Sequence, residues 1–271
     1  MNKRRAFLTG ASAGIGRATA EALLKAGWEV WGTSRDVQRL AEVRGLHPVQ
    51  LDLGEPESIA LGFAAALRQA RQFDVLINNA GDGVFGPLEH LPLAQVQRQF
   101  GTLVFGHIDL IQRALPAMRE RGAGIILNVT SLAARWPIPF MAPYNAAKAA
   151  MSAFSVSLNL ELRGTGVRVI ELQPGDIRTK FNDSIFRGPT AGYDAAAQKT
   201  WTVMEREIAA APPPDVVAQE IVRLLAKLEL LATAGGFLQA TLAANVAGWL
   251  PRHCLLWIIR RFFGLPEGDH R

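Results

Sequence analysis

The sequence predicts a single doubly wound α/β domain: one parallel sheet with helices on both faces, followed by a C-terminal helical lid and tail. Two observations carry this. Short apolar runs of strand type alternate with longer helical patterns from residue 4 to about 175, the βαβ rhythm of a parallel sheet covered on both sides. The size also fits, because 271 residues, 49% apolar and 20% charged, suffice for one full sheet and its core. Such a composition excludes disordered, collagen-like and disulfide-scaffold proteins.

In order, the strands fall near Arg5–Thr9, Glu29–Ser34, Pro48–Asp52, Val75–Asn78, Gly124–Thr130 and Val167–Gln173, each a short, largely apolar run. Helices fill the gaps. The helix predicted from about Pro143 to Arg163 carries Met151, Phe154, Leu158 and Leu162 three or four residues apart, so one stripe packs on the sheet and the opposite face stays free. From Lys180 to Pro214 the chain reads as irregular, with Gly188, Pro189, Gly192 and the run Pro212-Pro213-Pro214, as expected of a long loop or lid. Asp215 is then expected to cap a helix reaching about Glu229, and Leu230–Ala234 to form a seventh strand.

Residues 1–235 thus form the domain, with the lid at 180–214, and residues 236–271 form an amphipathic tail. The stretch Leu230–Pro251 has no charged residue, but Gly235, Gly236, Gln239, Thr241 and Asn245 make it too weakly apolar for a membrane span. In the tail, Trp249, Trp257, Phe262 and Phe263 stand beside Arg252, Arg260 and Arg261, the mixture of helices that lie in a membrane interface. Peripheral membrane contact through 236–263 is therefore expected. Only Ala6-Phe7-Leu8 follow the basic start before Thr9-Gly10, too short a run for an export signal, and the single cysteine, Cys254, asks for no oxidising compartment. A cytoplasmic protein is the expectation. Twenty-nine Lys and Arg against twenty-four Asp and Glu give +5, which favours phosphates or an acidic membrane surface but is too small an excess to suggest nucleic acid.

Chemistry concentrates at the predicted carboxyl ends of the strands. Thr9-Gly10-Ala11-Ser12-Ala13-Gly14-Ile15-Gly16 opens a helix after the first strand; such glycines allow a tight turn and close approach of a pyrophosphate to the helix N-terminus. At the tip of the second strand, where an NAD site places an acid, stands Ser34-Arg35. A guanidinium there pairs with a 2′-phosphate, so NADP(H) is favoured over NAD(H); Asp36, one residue on, is read as a helix cap. Tyr144 and Lys148, four apart, share a helix face, and an ammonium beside a phenol is expected to lower the phenol's pKa. Ser131, Asn78-Asn79-Ala80-Gly81 and Pro174-Gly175 end three further strands at the same sheet edge. No metal-ligand set is read.

Together these residues resemble the classical short-chain dehydrogenase/reductase family, from the first strand through about Thr179, which implies a Rossmann-type sheet. By the resemblance, Ser131, Tyr144 and Lys148 are the catalytic set. The cofactor contacts implied are Gly10, Ser12, Gly14, Ile15, Gly16, Ser34, Arg35, Asp52, Leu53, Asn79, Ala80, Gly81, Tyr144, Lys148, Pro174, Gly175, Ile177 and Thr179. The segment Glu171-Leu172-Gln173-Pro174-Gly175 with Thr179 and Phe181 looks like the hydroxysteroid and retinol dehydrogenase branch. The resemblance implies that Tyr144 protonates a carbonyl oxygen while hydride reaches the carbon, with Ser131 orienting the carbonyl.

The substrate side reads as apolar: Leu132, Trp136, Pro137, Ile138, Pro139, Phe140 and Met141 precede Tyr144, and the lid offers Phe181, Ile185, Phe186, Trp201 and Met204. A lipophilic ketone or aldehyde follows, such as a steroid, retinoid or keto-lipid, acted on by a homodimer or homotetramer. One position departs from the family: its catalytic asparagine, which holds a water between the lysine and solvent, is Leu103 here. His107, one turn on, is a weak candidate replacement. The departure leaves an alternative function, a catalytically weak NADP(H)-binding sensor or scaffold.

Overall fold

The computed structural model describes residues 3–227, 230–236, 246 and 249–266. Seven parallel strands form one sheet in the order β3-β2-β1-β4-β6-β7-β9. They are β1 (Arg5–Leu8), β2 (Glu29–Ser34), β3 (His47–Gln50), β4 (Val75–Asn78), β6 (Gly124–Val129), β7 (Val167–Pro174) and β9 (Leu231–Ala234). All seven predicted strands are present, their ends shifted by one or two residues. A two-stranded parallel ribbon, β5 (Gly83–Phe85) with β8 (Ile185–Arg187), lies apart from the sheet.

Alternation along each strand builds two cores. Leu8, Val30, Ile77, Leu127, Ile170 and Leu172 face α1 (Gly14–Lys25) and α7 (Asp215–Ala226), packing on Leu23, Ile221 and Leu224. Their neighbours Phe7, Trp31, Leu76, Ile126 and Val169 face α2 (Pro56–Ala70), α4 (Gly106–Glu120) and α5 (Ala142–Glu161), meeting Phe63, Leu110 and Leu158. Strands buried on both sides can be apolar throughout, which is why β1 and β4 read as unbroken apolar runs. Phe7 also meets Phe63 and Phe73 edge-on, with centroids 5.1 and 5.2 Å away, each pair contributing about 0.5–1.5 kcal/mol beyond burial. The stripe predicted on α5 is the buried one: Met151, Leu158 and Leu162 are core and Phe154 packs against it.

Two readings need correction. Half of the segment read as irregular is α6 (Asp194–Ala210), which buries Ala197, Thr200, Trp201 and Met204 at helical spacing. Gly188, Pro189, Gly192 and the proline run mark its flanks, and the alanine-rich interior between them favours helix. Asp215 does not cap α7. Pro214 occupies the cap position with φ −63°, its carbonyl accepts from Val217 and Ala218, and Asp215 lies in the first turn, where its charge favours the helix dipole. Asp36, in contrast, does cap, accepting from Gln38 N at 3.0 Å.

Much of the tail region 236–249 and the end of the predicted helix at Glu229 lie outside the described residues. Helix α8 (Arg252–Phe263) inserts Ile259 and Phe263 among the buried lid residues Trp201 and Met204. It ends on the left-handed Gly264, where a side chain would strike Lys199 of α6. Among the described residues no helix is long and apolar enough to cross a membrane.

Candidate active site

In this strand order the chain reverses direction between β1 and β4, and at that point open α/β sheets form a crevice outside their carboxyl ends. The glycine-rich turn lies there, drawn close to Asn79 and Ala80. Thr9 Oγ1 accepts from Asn79 N at 2.9 Å and Ala80 N at 3.0 Å, and Asn79 Nδ2 donates to Thr9 O at 3.0 Å. Gly10 needs its left-handed φ of 70°, and a side chain on it would lie 2.9 Å from Ala80 Cα. A side chain on Gly16 would meet the Gly10 carbonyl and stand 2.5 Å from Asn79 Nδ2. The cradle therefore suits the close approach of a dinucleotide pyrophosphate.

Around it the other expected contacts assemble. Ser12 and Ile15 are half-buried in the turn, Ser34 is buried and Arg35 exposed. Arg35 has no hydrogen bond or ion pair among the described residues, so its fork is available to a phosphate. Asp52 holds the next turn by accepting from Gly54 N at 2.9 Å. Leu53 is placed differently: its side chain is core, and its carbonyl lies so close to Gly106 that no larger residue fits there, leaving only its backbone for a ligand. Gly175 N donates to Ala234 O at 2.7 Å, Ile177 is buried, and Thr179 Cγ2 would be 3.3 Å from a side chain on Gly14, so this segment crosses the glycine turn.

Ser131, Tyr144 and Lys148 converge at the carboxyl end of β6. Ser131 ends the strand, caps the turn Leu132–Ala134 by accepting from Ala133 N at 3.0 Å, and hydrogen-bonds the Tyr144 phenol. Tyr144 and Lys148, four apart on α5, are both buried. The expected lowering of the phenol by the lysine is absent. Burial pushes Tyr144 up to about 12, opposed by its hydrogen bond to Ser131, with Asp176 adding to the rise. Lys148 Nζ instead donates to Val129 O at 2.9 Å and lies 5.9 Å from the phenol ring centroid. Desolvation outweighs the ammonium at that separation.

Two contributors were not singled out in the sequence. Asn145 clamps the loop before α5, accepting from Ile138 N at 3.2 Å and donating to Ile138 O at 2.8 Å; its place beside Tyr144 was the available signal. Asp82, next to Gly81, enters the site in partnership with Arg98 at 3.4 Å.

A family profile described as short chain dehydrogenase matches residues 4–189. The chain belongs to the short-chain dehydrogenase family. A 3-ketodihydrosphingosine reductase of Bacteroides thetaiotaomicron is 31% identical over 265 residues, covering 96% of this chain and 97% of that protein. Among solved structures, a short-chain dehydrogenase from Streptomyces avermitilis superimposes with a TM-score of 0.82 at 27% identity, over 98% of this chain and 99% of its own. A closed-form serine dehydrogenase complexed with NADP+ gives a TM-score of 0.75 at 27% identity, over 88% and 97%.

In this short-chain dehydrogenase the helix is locally distorted at the departing position. Residues Gly101–Phe105 form a π-helical turn between α3 (Leu93–Phe100) and α4, and Leu103 is 1% exposed within it. His107 does not replace the missing asparagine as a proton carrier. Its Nδ1–H donates to Leu103 O at 3.2 Å, since a carbonyl only accepts, leaving Nε2 to accept from the Thr9 hydroxyl at 3.4 Å. Complete burial, with Lys148 nearby, lowers its pKa to about 3. Below about pH 6.5 the unfolded chain therefore binds a proton that folded His107 refuses, so its contribution to stability declines as pH falls. His107→Gln removes this titration. Between pH 7.5 and 5 the urea-unfolding gap between wild type and variant should shift in the variant's favour by about 2 kcal/mol, and a gap constant with pH would contradict the neutral buried state.

Proposed function

We propose that this chain is an NADPH-dependent reductase of a lipophilic ketone or aldehyde, with a keto-lipid as the favoured substrate class. The observation that carries the reading is the Tyr144 hydroxyl: hydrogen-bonded to Ser131, four residues from a buried lysine, and enclosed by apolar groups. Phe181 lies 5.5 Å from its ring, and Phe85, Met141, Trp201 and Met204 pack in the same cluster, with Trp136, Ile138 and Phe140 against them. An open depression of about 310 Å3 shares Phe140 with this cluster and is otherwise lined by Gly86, Pro87, Leu88, Glu89, Ala142 and Tyr193. The similarity to a 3-ketodihydrosphingosine reductase along nearly the whole chain supports a long-chain keto compound; the NADP+ complex of the serine dehydrogenase supports the cofactor.

When bound, the nicotinamide cofactor supplies hydride to the carbonyl carbon. Ser131 and Tyr144 both donate to the carbonyl oxygen, fixing its position. With its pKa near 12, Tyr144 holds its proton at neutral pH and gives it readily to the more basic alkoxide, so the unliganded site is set for reduction. Lys148 returns a proton to the phenolate. The apolar wall keeps water from the reacting carbonyl.

The tail adds a surface to this reading. On α8 the outward side chains Leu256, Trp257 and Phe262 are 57%, 55% and 48% exposed, and Arg261 lies over the Trp257 ring at 5.6 Å. No acidic residue occurs between 252 and 263. Peripheral contact with an anionic bilayer follows, at roughly 1 kcal/mol per cation, beside the site that receives the lipid. The exposed Phe105, Val156 and Leu160 offer apolar surface for a homodimer or homotetramer.

Three measurements test the proposal. NADPH should bind at least about tenfold more tightly than NADH, and Arg35→Ala should erase most of that preference, since a charge-assisted phosphate contact contributes about 1.5–3 kcal/mol; equal wild-type affinities would refute the NADP assignment. Tyr144→Phe should lower reduction of a long-chain ketone at least about a hundredfold with little change in NADPH affinity, because the hydroxyl acts in the transition state. Full turnover in that variant would exclude the mechanism. In sedimentation with anionic vesicles at low salt, the full chain should pellet and Trp257→Ala/Phe262→Ala should pellet less; a supernatant protein in both cases would refute membrane contact.

A further inference from the structure

Glu171 is a buried carboxyl in the middle of an apolar strand. Its β7 neighbours Ile170 and Leu172 are fully enclosed. A carboxyl in such a place is costly unless donors reach it, and two reach the same oxygen. The Thr130 hydroxyl donates to Glu171 Oε1 at 2.7 Å, and Gln173 Nε2 donates to it at 2.8 Å. Thr130 Oγ1 also lies 3.3 Å from Leu172 O, but a hydroxyl has one proton and the shorter contact takes it. Gln173 Nε2 lies a further 3.4 Å from Ser152 Oγ on α5, one turn beyond Lys148. One oxygen thus ties the end of β6 to the end of β7 and, through Gln173, to α5.

Three consecutive residues close β6, and each holds a different group. Val129 O accepts from Lys148 Nζ at 2.9 Å, Thr130 bonds to Glu171, and Ser131 hydrogen-bonds the Tyr144 phenol. Among the described residues the ladder between β6 and β7 ends with Thr130 N donating to Leu172 O at 2.8 Å. Past that bond, Ser131 is placed by its own turn and by whatever fixes Thr130. We propose that Glu171 is a positioning residue for Ser131: by accepting from Thr130 it fixes the strand end from which Ser131 reaches Tyr144. The proposal rests on the reductase reading in taking Ser131 and Tyr144 as the groups that hold the substrate carbonyl. One planar peptide, about 3.8 Å between Cα atoms, joins Thr130 to Ser131, so a shift of the first carries the second.

The chain has two tyrosines, so tyrosine labelled with 13C at Cζ gives two NMR signals, and Tyr144→Phe identifies that of Tyr144. Ser131→Ala sets the position this signal takes when the hydroxyl partner is gone. Thr130→Val, which keeps the side chain's shape without its hydroxyl, and Glu171→Leu should each move the Tyr144 signal toward that position and leave Tyr193 unmoved. Thr130→Ser should leave both signals at their wild-type positions. Because the two changes act through one contact, the double variant should move the Tyr144 signal no further than the larger single change. In the same variants kcat for a long-chain methyl ketone should fall about tenfold or more, and Thr130→Val added to Ser131→Ala should lower it no further. An unmoved Tyr144 signal in folded Thr130→Val or Glu171→Leu, or shifts that add in the double variant, overturns the proposal. Should Glu171→Leu not fold, the Thr130 pair decides: a shift in Thr130→Val that Thr130→Ser lacks supports the role, and equal shifts overturn it. If no ketone is reduced, the reductase reading fails, and the Tyr144 signal still decides the role of Glu171.

Discussion

The crossing of the glycine turn over the end of β4 is the constraint on which the site depends. At a reversal of strand order two neighbouring strands send their chains apart, and the exposed ends need tying. Thr9 does this with one oxygen, accepting from two successive backbone N–H groups. Its hydroxyl also lies 3.4 Å from both Ile77 O and His107 Nε2, and the other nitrogen of His107 holds the π-helical turn through Leu103 O. One hydrogen-bonded chain thus links the turn that suits a pyrophosphate to the helix beneath Lys148. Thr9, His107 and Leu103 are buried, so removing the His107 side chain leaves the Leu103 carbonyl unsatisfied, at about 1–3 kcal/mol. The glycines follow from this closeness, because any side chain on Gly10 or Gly16 would occupy the space of Asn79-Ala80 or of the turn itself.

Burial also sets the chemistry of Tyr144 and Lys148. Tyr144 and Lys148 are each driven toward their neutral forms, the phenol upward and the ammonium downward. In water the pair would sit close to ordinary values and far from each other's influence. Enclosed, the phenol becomes a proton holder, and the lysine titrates near the range where it can give and regain a proton. Ser131 acts against this trend for Tyr144, while its acceptance from Ala133 N fixes its own orientation.

The sheet was legible because its strands are buried on both faces and announce themselves as apolar runs, and the site was legible because strand ends fall together at one edge whatever the helices do. Ser131 and the glycines follow from that topology, whereas Tyr144 and Lys148 come from α5, where a spacing of four places them on one face. What the sequence concealed depends on packing between distant segments. Helix α6 was hidden by strong turn residues at its flanks, although Ala197, Thr200, Trp201 and Met204 have helical spacing. The rise of Tyr144 reflects enclosure by Phe181 and the lid, and a Tyr–Lys spacing contains no measure of that. The side chain of Leu53 is core, so any part it has in the site falls to its backbone, a division that its place beside Asp52 does not show. Asp82 carried no pattern at all, and its partners, Arg98 and Gln99, reach it only through the packing of α3.

The tail shows how one amphipathic helix can join two requirements. Ile259 and Phe263 complete the apolar cluster that also holds Trp201, Met204 and Tyr144, so α8 is part of the wall of the candidate substrate site. Leu256 and Phe262 flank that pair and Trp257 lies on the far side of the helix; all three stay about half exposed, with Arg261 over the Trp257 ring. Because these residues share one short rigid helix that ends against Lys199 of α6, a displacement of its outer side chains also displaces the wall formed by Ile259 and Phe263.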